Sequence, residues 1–510
     1  MRTAALVYAG SISPHALSPL AGGASAFGRS LAFARSLPGV ERVIVAEGSL
    51  PLPRGDFARV SRESWTVDSL LGELAAAGEG AEAVFLVWGD LPFLDPALAA
   101  RMLESYGRYR AEYGFADGYP VGLAAEILSP RILPNLRSLA ASIASGPGAA
   151  SSAPERESLF AVVQKDINSF DIETEISPKD LRDLRLVLAC DSRRDRLLVE
   201  RLMEAGVRDE ASVLSIVPRR LDLLRTLPAF VQVQVSGGCP QACSLCPWPT
   251  VGGDILARRD YMAAGRFASL MDQVEALCGD AVVDISLWGE PALNPEIGDI
   301  VREVLGRPAL SLIVETSGLG WDRDVVEGLA ALGSTRLDWV VSLDAPEKAL
   351  YERLRGPGWE EAQSFAARAL ALFPGRVHLQ TLRVRENESS LESFWRGWKK
   401  QTDNVIVQKY STFAGFLPER KVCDLSPLLR RPCWHLKRDL AVLLDGTVPL
   451  CRECARGEIV LGSAFGPGGL EAAWKAGDAL HLDHVAAGRG ESSRYPEPCT
   501  GCDEYYTYNA

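Results

Sequence analysis

The stretch Cys239-Pro-Gln-Ala-Cys243-Ser-Leu-Cys246 holds three cysteines within eight residues, in the spacing C-x3-C-x2-C. It follows the valine-rich run 231–235, whose alternation of apolar and polar residues predicts a strand, and the breaker Ser236-Gly-Gly. Three thiolates on one tight loop can hold three corners of a cubic iron–sulfur cluster and leave the fourth iron open to a ligand. A structural zinc loop and three unrelated cysteines are the alternatives.

This spacing is similar to the signature of the radical S-adenosylmethionine (radical SAM) superfamily, which lies on the loop after the first barrel strand. The resemblance implies that Cys239, Cys243 and Cys246 hold a [4Fe–4S] cluster whose open iron binds S-adenosylmethionine. One electron then cleaves the sulfonium and generates a 5′-deoxyadenosyl radical. A reductant of the flavodoxin or ferredoxin type is also implied, because the cluster must receive its electron from outside.

Composition limits the class of protein. The chain has 510 residues, too many for one hydrophobic core, so several domains are expected. No apolar run reaches the ~18–20 residues of a membrane helix, and the first ten residues lack the layout of a signal peptide. We therefore expect a cytoplasmic protein without a membrane partner. The net charge of −12 argues against a nucleic-acid partner.

The eleven cysteines are not spread evenly along the chain. Disulfides are rare in the cytoplasm, so we expect free thiols or metal ligands. Apart from Cys190 and Cys278, every cysteine lies in the central triplet or in the C-terminal tail, which favours metal ligation. We expect Cys190 and Cys278 to be buried core residues.

Residues 1–222 alternate strand-like and helix-like segments. The runs 4–8, 40–46 and 83–88 predict strands and 27–37 predicts a helix, which together indicate an α/β domain with a largely parallel sheet. The segments 89–96, Gly-Asp-Leu-Pro-Phe-Leu-Asp-Pro, and 176–186 resemble the nucleotidyltransferase-like fold of the cytidylyltransferases. That resemblance implies a metal-binding role for Asp90.

The same domain lacks the cations that grip a nucleoside triphosphate in that family. The glycine-containing segment 9–22 has neither arginine nor lysine, so the triphosphate has little to neutralise it. We therefore expect a catalytically silent domain that serves binding or docking. The alternative for Asp90 is a helix cap or turn residue.

Residues 223–415 alternate strand and helix signals again. Six strands are predicted, at 230–235, 282–288, 310–315, 337–343, 377–384 and 405–410. Six such units match the partial (β/α)6 TIM-type barrel of radical SAM enzymes, in which the working residues lie at the carboxyl ends of the strands.

Family-like motifs follow the second and third predicted strands. Gly289-Glu290-Pro291 is similar to the GGEP motif, whose backbone and glutamate hold the amino group of S-adenosylmethionine; Trp288 stands where the family has its first glycine. Thr316-Ser317, within Glu315-Thr-Ser-Gly, is similar to the TNG turn. These resemblances imply cofactor-binding roles for Gly289, Glu290, Pro291, Thr316 and Ser317.

The fourth predicted strand is followed by Ser342-Leu-Asp344 and then by Arg355-Gly356, which resemble the SLDG…RG signature of peptide-modifying members. The resemblance implies that Ser342 and Arg355 contact the methionyl carboxylate or the ribose, with Asp344 beside them. A guanidinium suits a carboxylate because it binds in a bidentate manner. A surface charge is the alternative for Arg355, and a strand-end hydroxyl for Ser342.

Residues 416–510 resemble the SPASM domain, a small cysteine-rich extension of radical SAM enzymes. The resemblance implies one auxiliary [4Fe–4S] cluster, with Cys454 as an alternate ligand and Cys423 as a structural residue. A zinc site of Cys451, Cys454, Cys499 and Cys502 is the alternative. We expect the aromatic segment 503–509 to pack back onto the barrel. The implied cluster ligands are Cys433, Cys451, Cys499 and Cys502.

The whole order of domains resembles the spiro-SPASM proteins. The expected function is a radical SAM enzyme that abstracts hydrogen from a peptide or protein substrate and uses an auxiliary iron–sulfur cluster. One alternative is a radical SAM dehydrogenase or modifier of a carbohydrate or nucleotide-sugar. The other is a non-catalytic iron–sulfur protein that binds or senses.

Overall fold

The computed structural model describes residues 1–143, 149–424, 426–427, 429–490 and 495–506. The chain forms two compact units, unit 1 (Met1–Leu224) and unit 2 (Arg225–Ala510). The three-domain division at 222 and 415 stays a prediction. No helix among the described residues is both long and apolar enough to cross a bilayer.

Unit 1 is a mixed α/β domain. Its strands and helices are β1 (Thr3–Ala9), α1 (Pro14–Leu17), α2 (Ala26–Ser36), β2 (Val40–Glu47), β3 (Ala58–Ser61), α3 (Val67–Ala77), β4 (Ala83–Trp88), α4 (Pro96–Tyr109), β5 (Tyr113–Asp117), β6 (Glu126–Leu128), α5 (Leu133–Ser142), α6 (Ser158–Val163), β7 (Ile172–Ile176), α7 (Arg193–Glu204) and α8 (Glu210–Ile216).

The unit 1 sheet has seven strands in the order β3-β2-β1-β4-β6-β5-β7. β6 is antiparallel to β4 and to β5, and the other neighbours are parallel. β1 and β4 are almost wholly buried, which explains their unbroken apolar sequences. After β4 the chain turns into α4, where Asp95 caps the helix and Pro96 occupies its first position.

Unit 2 carries a parallel sheet with helices between its strands. Its elements are β8 (Phe230–Val233), α9 (Trp248–Val251), α10 (Ala264–Cys278), β9 (Ala281–Asp284), α11 (Ile297–Leu305), β10 (Leu310–Thr316), α12 (Arg323–Ala330), β11 (Leu337–Ser342), α13 (Lys348–Arg355), α14 (Trp359–Leu372), β12 (Val377–Arg383), α15 (Leu391–Trp398), β13 (Val405–Lys409), α16 (Trp434–Arg438), β14 (Asp439–Val442), β15 (Thr447–Pro449), β16 (Val460–Ser463) and α17 (Gly469–Gly488).

The main sheet of unit 2 has seven strands in the order β13-β12-β11-β10-β9-β8-β14. All six neighbouring pairs are parallel. The strands β8 to β13 match the six predicted strands, although β9 ends at Asp284, before the predicted end at residue 288. β14 was not predicted. It comes from the cysteine-rich tail and pairs with β8, so this region extends the partial barrel by one strand.

The core of unit 2 lies between the sheet and its helices. In α11 the buried residues Ile297, Ile300, Val301 and Val304 form one helical face. β10 alternates strictly, with Leu310, Leu312, Val314 and Thr316 buried and the residues between them less so. Glu315 therefore lies on the face of the sheet opposite Val314. Cys278 is fully buried in this core, and Cys190 is buried in unit 1, as predicted.

Candidate active site

Unit 2 contains a cavity of about 200 Å³ at the carboxyl ends of its strands. All six strands from β8 to β13 contribute to its wall, which is where barrel enzymes place their working residues. The strand residues in the wall are Gln232, Asp284, Glu315, Thr316, Ser342, Gln380, Leu382, Gln408 and Lys409.

The predicted cluster cysteines Cys239, Cys243 and Cys246 all line this cavity. The loop that carries them is fixed at both ends: Cys239 N donates to Ile255 O at 3.0 Å, and Ser244 N donates to Leu354 O at 2.9 Å. Burial raises the pKa of Cys246 to about 12. Burial also raises the pKa of Cys243, and the positive charge of Arg355 opposes that rise. A bound iron would have to displace the thiol protons.

Gly289 brings the second motif against the cysteine loop. It has φ +89°, and a Cβ at this position would lie 2.1 Å from Ser236 O. The next residue, Glu290, donates its backbone N–H to Gly238 O at 2.8 Å. Only glycine fits this close backbone approach. The predicted motif is therefore attached directly to the loop that begins the cysteine triplet.

The Glu290 carboxylate joins the second and third motifs. Its Oε1 accepts from Thr316 Oγ1 at 2.6 Å, and its Oε2 accepts from Ser317 N at 2.9 Å and Ser317 Oγ at 2.6 Å. The residue is only 2% exposed. Burial raises the pKa of Glu290, and the hydrogen bonds from Ser317 and Thr316 oppose that rise. Pro291 starts a short turn behind the motif and does not line the cavity.

The fourth motif presents a guanidinium to the cavity. Arg355 Nη1 contacts Asp344 Oδ2 at 2.6 Å, and Arg355 Nε donates to Gln241 Oε1 at 3.3 Å. The Tyr351 hydroxyl also hydrogen-bonds with Arg355. Asp344 is 1% exposed and does not line the cavity, so it positions Arg355 instead of reaching a ligand. Ser342 Oγ lines the cavity and donates to Glu315 Oε1 at 3.1 Å.

The second cysteine set, defined as Cys433, Cys451, Cys454, Cys499 and Cys502, also converges. Cys433, Cys454 and Cys499 are buried in one apolar cluster with Leu436 and Leu450, and Cys451 packs against it. Cys502 lies close enough for the charges of Cys433 and Cys451 to act on it, although burial is the main cause of its raised pKa. Cys454 is fully buried, and its thiol hydrogen-bonds with Cys451. The structure thus brings Cys454 into the predicted ligand set.

Cys423 lies elsewhere and is exposed, which differs from the buried setting of a structural core thiol. The described part of the chain contains no group of three Cys, His, Asp or Glu side chains arranged to hold a single metal ion. The zinc site of Cys451, Cys454, Cys499 and Cys502 stays an alternative to the auxiliary cluster.

The tail after the second cysteine set packs onto unit 2. Lys409 Nζ contacts Asp503 Oδ2 at 3.0 Å and Glu504 Oε1 at 3.1 Å, and Trp434 N donates to Tyr505 O at 2.9 Å. This agrees with the prediction for 503–506, whereas 507–509 lie outside the described residues.

The cavity also contains polar residues that sequence reasoning missed. Asp284 is 5% exposed, and burial raises its pKa to about 6, with Glu315 adding to the rise. Gln380 Nε2 donates to Glu315 Oε1 at 2.7 Å. Arg452, from the loop between Cys451 and Cys454, lines the same cavity. The only available signal was that Asp284, Glu315 and Gln380 are polar residues within or at the ends of apolar strands.

In unit 1, Asp90 forms an internal ion pair. Its Oδ2 lies 2.6 Å from Arg156 Nη2, and Arg156 Nη1 lies 3.1 Å from Asp191 Oδ2. Asp95 and not Asp90 caps α4, whereas Asp90 lies in the turn that follows β4, as the turn-residue alternative predicted. A metal ion at Asp90 would have to compete with the Arg156 guanidinium. The metal-binding role stays a prediction.

Comparison with known proteins gives a family and several distant likenesses. The family model described as the radical SAM superfamily matches residues 233–394. A Treponema pallidum (strain Nichols) protein, described as uncharacterized, is 37% identical over 366 residues, which is 69% of this chain and 98% of that protein.

Two solved structures have lower similarity. Streptococcus suis SuiB bound to precursor peptide SuiA is 14% identical with a TM-score of 0.42, covering 68% of this chain and 83% of that one. A cytidylyltransferase from Leptospira borgpetersenii is 14% identical with a TM-score of 0.36, covering 44% of this chain and 96% of that one. On the family match and the close relative, this chain belongs to the radical SAM superfamily, whose members are S-adenosylmethionine-dependent enzymes with a [4Fe–4S] cluster.

Proposed function

We propose that the unit 2 cavity binds S-adenosylmethionine beside a [4Fe–4S] cluster and that the enzyme abstracts hydrogen from a peptide or protein substrate. The observation that carries this proposal is that one cavity is lined by the three triplet cysteines and by six residues of the family-like motifs. Those six residues are Gly289, Glu290, Thr316, Ser317, Ser342 and Arg355.

The cysteine triplet fits a [4Fe–4S] cluster, because all three cysteines line one cavity that has space beside them for a ligand. When bound, the cluster supplies the electron that cleaves S-adenosylmethionine. Gly289 lets this motif lie directly against the backbone of the cysteine loop, where the methionyl amino group would bind, and Glu290 holds that wall in place through Thr316 and Ser317.

Arg355 is the group that would bind the methionyl carboxylate. Asp344 and Gln241 hold Nη1 and Nε and so fix the guanidinium plane at the cavity wall. The neighbouring Ser342 and Gln380 are held by Glu315 Oε1 and supply a hydroxyl and an amide suited to ribose hydroxyls. Because these polar groups are held by one another, they need not reorganise when the ligand binds.

We also propose that Cys433, Cys451, Cys499 and Cys502 hold one auxiliary [4Fe–4S] cluster that takes up an electron or binds substrate. The proposal is supported by the burial of Cys433 and Cys499 in one apolar cluster, the packing of Cys451 against it, and the action of Cys433 and Cys451 on Cys502. Cys454, buried beside Cys451, could replace one of the four ligands. The peptide or protein substrate rests on the SPASM resemblance of the tail. A cytoplasmic location and a flavodoxin- or ferredoxin-type reductant complete the proposal.

The test is iron and sulfide per chain after anaerobic reconstitution, with 5′-deoxyadenosine assayed after addition of dithionite and S-adenosylmethionine. We expect about eight irons in the unmodified chain and about four in the Cys239/Cys243/Cys246→Ala variant, which should form no 5′-deoxyadenosine. The Cys433/Cys451/Cys499/Cys502→Ala variant should also keep about four irons and should still form it. Zinc in place of the second iron set would contradict the auxiliary cluster, and eight irons without 5′-deoxyadenosine would contradict the catalytic role.

A further inference from the structure

One cation in the cavity wall is not used by any of the motifs that resemble the family. Arg452 lies in the loop between Cys451 and Cys454 and lines the same cavity as the cysteine triplet. Its Nε donates to Glu453 Oε1 at 3.0 Å. No described residue accepts a hydrogen bond from Nη1 or Nη2, and the side chain is 29% exposed. The charges of Glu315 and Glu504 also act on Arg452, but neither carboxylate accepts a hydrogen bond from its outer edge, which lines the cavity.

Glu453 fixes the direction in which Arg452 points. It is 2% exposed, and its Oε2 accepts from Ser411 Oγ at 2.5 Å, so both oxygens are held inside the protein. Since Glu453 takes the Nε edge, the two Nη groups remain as a planar fork. Such a fork matches the paired oxygens of a carboxylate or phosphate.

The other cations of the cavity wall are already engaged. Lys409 Nζ contacts Asp503 Oδ2, Asp503 O and Glu504 Oε1, all within 3.1 Å. Arg355 lies beside Cys243 at the triplet, held by Asp344, where the methionyl carboxylate is proposed to bind. Arg452 shares its charge with Glu453, Glu315 and Glu504, but among the described wall residues outside the proposed methionyl site it is the cation whose two Nη groups have no hydrogen-bond acceptor.

The cavity wall that contains Arg452 also contains a carboxylate that can accept a hydrogen bond from a ligand. Glu315 Oε1 is occupied by Ser342 Oγ and Gln380 Nε2, whereas no described residue donates to Oε2. Asp284, in the same wall, has both oxygens satisfied, by Ser286 N at 2.9 Å and Gln232 Nε2 at 3.1 Å. Glu315 is therefore the carboxylate that can accept a hydrogen bond from a ligand.

We propose that Arg452 anchors an anionic group of the substrate, a carboxylate or a phosphate, while Glu315 Oε2 accepts a hydrogen bond from an ammonium, amide or hydroxyl of the same molecule. This inference rests on the proposed function, because it places the substrate in the S-adenosylmethionine cavity. In a peptide the anion is an acidic side chain or the terminal carboxylate. In a nucleotide-sugar it is a phosphate.

The test uses the full chain, reconstituted anaerobically and saturated with S-adenosylmethionine, with radiolabelled inorganic phosphate as the probe in equilibrium dialysis at constant ionic strength. Arg452→Gln is compared with Arg456→Gln, a matched loss of charge from the same loop at an exposed arginine that lies over the Phe416 ring and does not line the cavity. We expect one saturable site in the unmodified chain and in Arg456→Gln, weakened about tenfold or more in Arg452→Gln.

Arg452→Lys keeps the positive charge but lacks the planar fork of the guanidinium. Its phosphate affinity should therefore fall between that of the unmodified chain and that of Arg452→Gln. Equal iron content in all variants establishes that they are folded. Absence of a saturable site, or equal binding by Arg452→Gln, overturns the proposal. A tenfold loss of S-adenosylmethionine affinity in Arg452→Gln also overturns it, because the guanidinium then holds the methionyl carboxylate.

Competition identifies the source of the anion. Displacement of phosphate by glycylglycine but not by glycylglycinamide supports a peptide carboxylate, and displacement by CMP alone supports a phosphate-bearing substrate. If neither glycylglycine nor CMP displaces phosphate, the proposed role of Arg452 in substrate binding is overturned. 5′-Deoxyadenosine is assayed on the same samples, so a failure of the radical chemistry with phosphate binding intact contradicts the proposed function and not this site.

Discussion

Trp288 adopts a backbone conformation that side chains rarely adopt, with φ +44°. A left-handed conformation costs about 1–2 kcal/mol for a residue with a Cβ, which is why glycine is favoured there. Here the indole stacks on Trp248, with ring centroids 5.5 Å apart and planes at 16°. Both rings belong to an apolar cluster against which Cys239 and Cys246 pack. The strain is therefore offset by a stacked cover over the cysteine loop.

Replacing Trp288 with glycine should remove this cover. We expect Trp288→Gly to take up normal iron under anaerobic conditions and to lose its iron–sulfur absorbance faster in air, because water and oxygen reach the triplet more easily. Trp395→Ala, at a tryptophan that is 43% exposed on α15, is the control and should bleach at the rate of the unmodified chain. Equal rates for all three proteins would contradict a covering role.

Asp344 should act through Arg355. Asp344→Asn weakens the charge-assisted contact that fixes the guanidinium, so we expect S-adenosylmethionine affinity to fall about tenfold with iron content unchanged. Asp338→Asn, on the strand β11 that precedes Asp344, removes a partly exposed partner of Arg376 and should leave affinity unchanged. Binding is measured by anaerobic equilibrium dialysis. Similar affinities for the two variants would exclude the positioning role.

At the scale of elements, the six strands from β8 to β13 could be predicted because each is an apolar run rich in valine or leucine. β14, Asp439–Val442, could not, since it is four residues long and lies in a cysteine-rich tail. Its partner β8 lies some 200 residues earlier, and no local pattern encodes such a pairing. Arg452 was missed for the same reason, because its place in the cavity depends on how that tail docks.

Arg225 connects the start of unit 2 to its last helix. It is 4% exposed, donates Nε to Leu436 O and Nη2 to Trp474 O, both at 2.7 Å, and pairs with Asp478. Its guanidinium carbon lies 3.5 Å from the centroid of the Trp474 ring. This buried cation joins α16 and α17, two elements that flank the second cysteine set.

Arg225→Met should therefore leave buried carbonyls without donors and lower the free energy of unfolding of unit 2 by about 3 kcal/mol. Arg302→Gln, at an exposed arginine of α11 paired with Asp299, should leave stability unchanged. Anaerobic urea unfolding followed by tryptophan fluorescence provides the comparison. Equal midpoints for the two variants would show that Arg225 contributes little.

At the scale of the whole molecule, the described residues of unit 1 form a hydrophobic core around β1 and β4, and those of unit 2 form another around β8 to β12. The alternation of strands and helices predicted both. Side-chain pairing was less predictable: the Asp90–Arg156 ion pair joins residues 66 positions apart, and nothing in either segment identifies the partner.

Unit 1 contains a buried carboxyl that makes its stability depend on pH. Burial raises the pKa of Glu126 from an ordinary 4.5 to about 8. Between these values the folded state holds a proton that the unfolded state has lost, so stability is fully present below pH 4.5 and falls as pH rises. The slope is at most about 1.4 kcal/mol per pH unit.

Glu126→Gln should remove this dependence, since its amide does not titrate. We expect the variant to be more stable than the unmodified chain at pH 7.5 and little different at pH 4.5. The stability of unit 1 at each pH is measured within the full chain by hydrogen exchange of peptides covering β4 to β6, corrected for the intrinsic effect of pH. Parallel pH profiles for the two proteins would contradict the prediction.

The pairing of β14 with β8 has a consequence for electron transfer. β8 leads into Cys239, and β14 lies between Cys433 and Cys451, so these cysteines flank adjacent strands about 4.8 Å apart. If both cysteine sets hold clusters as proposed, the two redox centres would be connected through the hydrogen-bonded backbone of one sheet and not through a flexible linker. The direction of electron transfer would then follow from the difference in their reduction potentials.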